Sequence, residues 1–322
     1  MPITLEQAKV GMADKVDQAV IDIFRRESFI LQSLTFDNAV SPGTGGSTMT
    51  YGYTQLKTPS MAAGRKLNEE YKPGEAIKEK KTADIKIFGG SFEVDRVLED
   101  TAAKSEINFQ LEEKSKATVN KFHYDFINGD SSTHETDFDG LDKLVTGTET
   151  EYTPDAAIDL STPAKIKENA PLMRLLLDKW IAKMDGKPSM LLMNETMLAT
   201  MNTIAAELGF YTRSKDAFGQ DVDNYKGIPM KDMGKYFNGT KSVDVIGTAT
   251  ETGETSIYAV TLSLDGVHGI SPTGNKVVKT YLPDLKAPGA VKKGEVEMLA
   301  GIVLKKTSKA GAFRKIKVEA TA

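Results

Sequence analysis

Apolar positions recur at spacings of three and four from the start of the chain, through Leu5, Ala8, Met12, Val16, Ala19, Val20, Ile23 and Phe24. That spacing predicts an amphipathic helix with one face to bury, entered through a capping box of Thr4 and Gln7. Ser28 to Phe36 continues mostly apolar until Ser41-Pro42-Gly43-Thr44-Gly45-Gly46 breaks it with a strong turn signal. The pattern then changes to strands. Met49-Thr50-Tyr51-Gly52-Tyr53-Thr54 is rich in β-formers, and a second strand pattern resumes at Ile85-Lys86-Ile87-Phe88. Beyond Gly89-Gly90 the apolar parity moves from odd to even positions, at Phe92 and Val94, which predicts a β-bulge at the glycine pair.

Between those strands, residues 65–81 (RKLNEEYKPGEAIKEKK) carry six bases and four acids and few large apolar groups, so they cannot form a core of their own. A two-stranded ribbon is marginal in water unless it lies on a surface, and a surface missing from its own chain has to come from a neighbour. A long helix is expected from Thr101 to Asn128, with Asp100 as N-cap and Asn128-Gly129 as the stop. Ile107, Leu111, Thr118, Phe122 and Phe126 form its apolar stripe, and at about 1.5 Å per residue it would be roughly 40 Å long.

The second half alternates helices and strands. A helix is expected from Pro171 to Met184, closed by Gly186, then a buried strand at Ser189–Met193. A helix capped by Asn194 follows, carrying Met197, Leu198, Met201, Ala205 and Leu208 and stopped by Gly209. Strands are expected near 228–230, 243–246 and 256–262, and two closing strands, 295–305 and 313–319, flank a turn at 308–311. The whole is α+β.

The 322 residues suffice for about two domains. The absence of cysteine excludes disulfides, thiolate metal sites and cysteine nucleophiles. With 45 acids against 41 bases, the chain lacks the strongly basic surface of a generic nucleic-acid binder. No apolar run approaches the roughly 18 residues of a membrane helix, so no membrane is expected as a partner. Charge is distributed unevenly: residues 125–160 hold ten acids and one base, and residues 292–319 hold eight bases and three acids. Such segments either stay solvated or set register between copies of the chain.

Motifs for chemistry are missing. His123, His134 and His268 match no metal-ligand spacing. The acidic run Asp130, Glu135, Asp137, Asp139 lacks the spacing of a twelve-residue calcium loop. Gly43-Thr44-Gly45-Gly46-Ser47-Thr48 has no lysine before its hydroxyl pair and leads into a strand, whereas a phosphate loop leads into a helix. No catalytic, cofactor-binding or metal residues are assigned, no cofactor is expected, and the chain is not expected to be an enzyme.

The order of elements is more informative. A helical arm runs through SFILQSLTFDNAV into a long charged hairpin, then FEVDRVLEDTAAKSEINFQLEEKSKATVNKFHYDFINGD, then Phe138-Asp139-Gly140-Leu141. This resembles the major capsid proteins of tailed bacteriophages with the HK97-type fold. The resemblance implies an N-terminal arm (1–47), an extended E-loop hairpin (48–90), a peripheral domain with a long spine helix (91–144 and 291–322) and an axial domain (145–290). It further implies a structural subunit whose hexamers and pentamers build an icosahedral head around double-stranded DNA, held without sequence-specific binding. Its place would be the virion, assembled in the host cytoplasm, with a portal and optional decoration proteins as partners. Because the arm begins within a few residues of Met1, a separate scaffolding protein, or assembly without one, is expected. The hairpin charges Arg65, Lys66, Glu69, Glu70, Lys72, Lys78, Glu79, Lys80 and Lys81 are the candidate contacts between subunits. Two alternatives stand beside this reading: an encapsulin-like nanocompartment shell, and a metal- or ligand-binding protein using the acidic 130–142 loop.

Overall fold

The computed structural model describes residues 3–5, 15–40, 46–58, 60–102, 105–209, 212–215, 221–274 and 277–320. Strands are numbered along the chain, and two sheets hold most of them. The first contains β1 (Ile3–Thr4), β2 (Thr35–Ala39), β5 (Lys86–Asp95), β15 (Val267–Pro272), β16 (Val278–Tyr281) and β17 (Val291–Leu304). Its backbone is β17, whose length serves three partners: β5 pairs with Val291–Ala300, β16 with Glu295–Met298, and β15 with Gly301–Leu304, all antiparallel. β2 joins β15 in parallel. Even-numbered side chains of β17, from Lys292 to Leu304, are buried, while Val291, Lys293, Glu295, Glu297 and Leu299 are not, the alternation of a sheet covered on one face.

The cover is helical: α1 (Lys15–Glu27), α2 (Phe29–Ser33), α3 (Arg96–Thr101) and α4 (Glu106–Asn128). Leu111, Thr118, Phe122 and Phe126 of the α4 stripe are buried as their spacing requires, and Ile107 packs beside them. Phe88 of β5, Phe122 and Phe138 form an aromatic cluster with ring centroids 5.8–6.1 Å apart. Val20, Ile21, Phe24, Ile30, Leu31, Leu34 and Phe36 belong to the same core, so residues 15–39 pack within their own subunit and do not extend away from it.

The second sheet runs in the order β6 (Glu151–Tyr152), β18 (Ala310–Lys317), β14 (Glu254–Val260), β8 (Met190–Met193), β11 (Ile228–Asp232), β10 (Asp221–Tyr225), β9 (Thr212–Lys215), with β7 (Ile158–Asp159) also on β18. α6 (Pro163–Ile181) and α7 (Glu195–Glu207) contribute Leu177, Trp180, Met197 and Met201 to its core, where Trp180 meets Phe313 edge-on at 5.6 Å. The short helix α5 (Leu141–Val145) follows α4, the small pair β12 (Lys235–Phe237) and β13 (Ser242–Asp244) falls between β11 and β14 in sequence, and Tyr236 of β12 packs on Tyr124 of α4. β3 (Thr50–Thr58) and β4 (Ile77–Asp84) form a separate hairpin. Among the described residues no helix is long and apolar enough to cross a membrane.

Several expectations are corrected. Thr4 ends β1, paired with Thr35, directly before the helical residue Leu5; its expected capping partner Gln7, with Ala8, Met12 and most of the 41–46 turn, lies outside the described residues. The long helix begins at Glu106, because Ser105 caps it through Asn108 N and Glu99 accepts from the Glu106 and Ile107 amides. Asp100 belongs to the preceding short helix α3, and 23 residues make α4 about 34 Å long. α6 starts at Pro163 behind a Thr162 cap, with Pro171 inside it.

No bulge interrupts Gly89-Gly90: β5 pairs one-to-one with β17 throughout, and its buried positions Phe88, Phe92 and Val94 are all even. Ile87, 58% exposed, created the false parity change. Gly89 is glycine because a Cβ would fall 2.0 Å from Val296 O and its φ is +155°. Residues 86–88 pair with β17, and the partner of β3 is instead Ile77–Asp84, which begins inside the charged segment 65–81. The sheets also divide the chain differently from the intervals 145–290 and 291–322, since β15 and β16 join the first sheet and β18 the second.

Candidate assembly surface

The hairpin has a root held by its own subunit and a tip that is not. At the root, Tyr53 and Gln55 of β3 are buried, and Gln55 Nε2 donates to Leu304 O of β17 at 3.3 Å. The Tyr51 hydroxyl donates to Asp37 Oδ2 at 2.5 Å, and Lys305 Nζ lies 3.8 Å from the same carboxylate and 5.6 Å from the Tyr51 ring. Burial, with the Asp37 carboxylate beside it, holds the Tyr51 hydroxyl protonated well above its ordinary range. The His268 ring meets Tyr51 edge-on at 6.0 Å and is fully buried. Burial first, and the Lys305 ammonium second, lower its pKa to about 4, against weaker opposite effects of the Gly266 carbonyl and Asp37. The period of two on β3 thus turns Tyr51, Tyr53 and Gln55 onto β2 and β17.

Beyond Gln55 the support ends. β4 is exposed along nearly its whole length, as is the connection 60–76. Of the nine charges singled out from the sequence, Arg65, Lys66, Glu69, Glu70 and Lys72 lie on that connection, and Lys78, Glu79, Lys80 and Lys81 on β4. All nine are exposed, and no ion pair joins any of them to another described residue. Arg65 is used locally, donating to the Lys66 and Glu69 carbonyls and stacking 5.2 Å over the Tyr71 ring. Met61, Leu67, Tyr71 and Ile77 are exposed beside them. The structure therefore groups the nine on one projecting element.

The acidic and basic segments meet inside the subunit. Arg314 of β18 lies 2.7 Å from Asp142 and 2.5 Å from Glu151, and its Nη2 donates to Thr146 Oγ1 at 3.0 Å. The Tyr258 hydroxyl donates to Asp142 at 2.6 Å, so α5 is fastened to β14 and β18 by one shared carboxylate. In the 130–142 loop, Lys143 contacts Asp130 at 2.6 Å and Asp139 at 2.8 Å, and Lys121 contacts Asp125 and Asp137. These lysines take up Asp130, Asp137 and Asp139 of the acidic run that suggested a cation site. Burial raises the pKa of Asp125 to about 6 against the opposing Lys121 ammonium. The loop is closed by two glycines, Gly140 N donating to Gly129 O at 2.8 Å. A Cβ on Gly129 would lie 2.2 Å from Phe138 O, and one on Gly140 2.5 Å from Asp125 O. The helix stop at Gly129 is therefore a packing requirement, since its φ is −58°.

Sequence reading missed Asp37, Tyr51, Gln55 and the Asp142–Tyr258–Arg314 junction. Each is an ordinary residue whose partner lies at least 14 positions away, and only the alternation along β3 hinted that Tyr51, Tyr53 and Gln55 share a face.

No protein-family model matches this chain, and no curated protein matches it by sequence. Solved structures do. The SrpI encapsulin of Synechococcus elongatus PCC 7942 is similar with a TM-score of 0.61 and 13% identity over 91% of this chain and 89% of that one. The capsid of a native GTA particle is similar at 0.54 and 11% identity, covering 90% of each chain. A chain of Mycobacterium phage Bobi reaches 0.51 with 15% identity, covering 88% of this chain and 89% of that one. The likeness is one of fold across nearly the full length: the chain has the HK97-type fold.

Proposed function

We propose that this chain is a structural shell subunit, the major capsid protein of an icosahedral phage head, assembling as hexamers and pentamers around double-stranded DNA and performing no catalysis. The observation that carries the reading is the hairpin tip: more than twenty consecutive residues, 60–81, are exposed, and none of their charges is ion-paired to another described residue, on a fold similar to shell proteins over about 90% of the chain. A ribbon of that kind needs a surface to lie on, and a second copy supplies one. In this reading the first sheet with α4 is the peripheral domain, the second sheet with α6 and α7 the axial domain, and 48–90 the E-loop. The nine hairpin charges set the register of each tip on its neighbour, each contributing little alone; many such contacts repeated around a closed shell give a stable particle. Partners of the finished head would be a separate scaffolding protein, a portal and optional decoration proteins, with assembly in the host cytoplasm.

The experiment is electron microscopy and sedimentation of the purified chain, followed by identification of the particle contents after nuclease treatment. Closed particles or capsomer-sized rings are expected; a strictly monomeric protein at all concentrations refutes the reading. The encapsulin likeness supports a second reading, a nanocompartment shell. Particles isolated from their natural source distinguish the two, holding nuclease-protected DNA in the first case and a protein cargo in the second.

A further inference from the structure

The sequence holds two Asn-Gly pairs, Asn128-Gly129 and Asn238-Gly239, and the fold treats them in opposite ways. At the end of α4, Asn128 Nδ2 donates to Val245 O at 2.6 Å and Tyr124 O at 3.3 Å, and Gly129 N donates to Asp125 O at 2.9 Å. Every amide hydrogen of that pair that could take part in a rearrangement is held. Asn238-Gly239 instead opens the turn between β12 and β13, where Phe237 pairs with Ser242. Asn238 Oδ1 accepts from Thr240 N at 3.1 Å and Lys241 N at 3.0 Å. To reach both amides, the side-chain carbonyl folds forward over the intervening Gly239 peptide. Two donors on Oδ1 draw electron density from Cγ, as the donors of an oxyanion hole do. Among the described residues neither Asn238 Nδ2 nor Gly239 N has a hydrogen-bond partner, and residues 237–242 are all exposed. Gly239, at φ +92°, carries no side chain, and the space a Cβ would occupy is open.

We propose that Asn238 is a site of spontaneous covalent modification, deamidated through attack by its own backbone, and that the fold protects Asn128 from the same reaction. Gly239 N gives its proton to solvent and bonds to Asn238 Cγ. The Cγ–Nδ2 bond breaks, and the nitrogen takes up a proton and leaves as ammonia. The five-membered succinimide that remains adds one water at either carbonyl and opens to aspartate or isoaspartate, with no change of oxidation state. Either product adds one negative charge to the turn beside Lys241, and isoaspartate also lengthens its backbone by one methylene. Tyr236 keeps its seat on Tyr124 of α4, because the modified residue lies beyond the last paired position of β12. This reactivity belongs to the single subunit and does not depend on assembly.

The test is peptide mapping by mass spectrometry of the full-length chain, held at pH 8 below the concentration of assembly, with and without urea. In the folded protein the Asn238 peptide should gain the mass of an amide-to-acid exchange, with a separate isoaspartate peak, at least about tenfold faster than the Asn128 peptide. In urea the hydrogen bonds that hold Asn128 are gone, and the two rates should converge. Asn238→Gln, which needs a larger ring for the same attack, should leave that peptide unmodified with the circular dichroism of wild type. An Asn238 peptide that stays unmodified in the folded protein, or reacts no faster than the Asn128 peptide, overturns the proposal. A rate difference that persists unchanged in urea also overturns it, since the contrast would then come from the neighbouring sequence and not from the fold.

Discussion

His268 is fully buried beneath Tyr51, neither ring nitrogen has a well-formed hydrogen bond among the described residues, and its pKa falls to about 4 from the ordinary 6.5. In this subunit the imidazole stays neutral under conditions where the unfolded chain would protonate it. The sign follows: a depressed folded pKa gives stability that is complete above pH 6.5 and is lost as the pH falls towards 4. Integrating that proton linkage for one group gives a loss of ~2 kcal/mol at pH 5 and ~3 kcal/mol at pH 4 relative to pH 8. His268→Leu removes the linkage, and a swap of similar volume changes stability at pH 8 by less than about 1.5 kcal/mol. Relative to its own value at pH 8, the variant should therefore be ~2 kcal/mol less acid-sensitive than wild type at pH 5. His123, buried with a pKa of about 4, and Asp125, raised to about 6 and acting in the opposite direction, are present in both proteins and cancel in the difference. Urea unfolding followed by far-ultraviolet circular dichroism at pH 8, 6 and 5, below the concentration of assembly, measures it. An equal difference between wild type and variant at all three pH values would refute the reasoning, because it would mean that the folded imidazole titrates as it does in water.

Other consequences follow from the same geometry. Gly140→Ala, at an ordinary φ of −80°, should lose ~2–4 kcal/mol through steric conflict alone, visible as a lower thermal midpoint, and an unchanged midpoint would show that the loop closure relaxes freely. Arg314→Met leaves Asp142 and Glu151 without their shared cation and should cost ~2–3 kcal/mol in urea unfolding, less than a fully buried pair because Arg314 keeps some access to water. Reversal of Lys78, Lys80 and Lys81 to glutamate should change subunit stability by no more than ~0.5 kcal/mol while sharply reducing particle yield by sedimentation. Deleting residues 61–75 should leave a folded subunit that does not assemble; an unfolded product would place the tip in the core.

Much of this fold was legible because local patterns were strong. The α4 stripe, the buried Met190–Met193 strand and the Asn194 cap all rest on interactions within a few residues. Errors arose where long-range pairing overrode local signals. Ile87 looked like an inward-facing strand residue and is exposed because β17 fixes the opposite register. The charged run Ile77–Asp84 has little reason to be a strand by itself and becomes one because β3 lies beside it. Asp100 resembled a cap, yet Ser105 and Glu99 form the real one through a break in the helix invisible to periodicity.

By itself the sequence determined which segments can be helices and strands, that one ribbon cannot support itself, and that ordinary catalytic or metal-binding motifs are missing. Those are properties of spacing and composition, which act over a few residues. Only the tertiary structure decided that Arg314 of the basic segment pairs with Asp142 and Glu151 of the acidic one inside one subunit, and that the hairpin is anchored through Tyr51 and Gln55 as far as its root. The physical reason is that burial and charge pairing depend on which distant segments share a surface, and that is set by the strand register of β17 and β18.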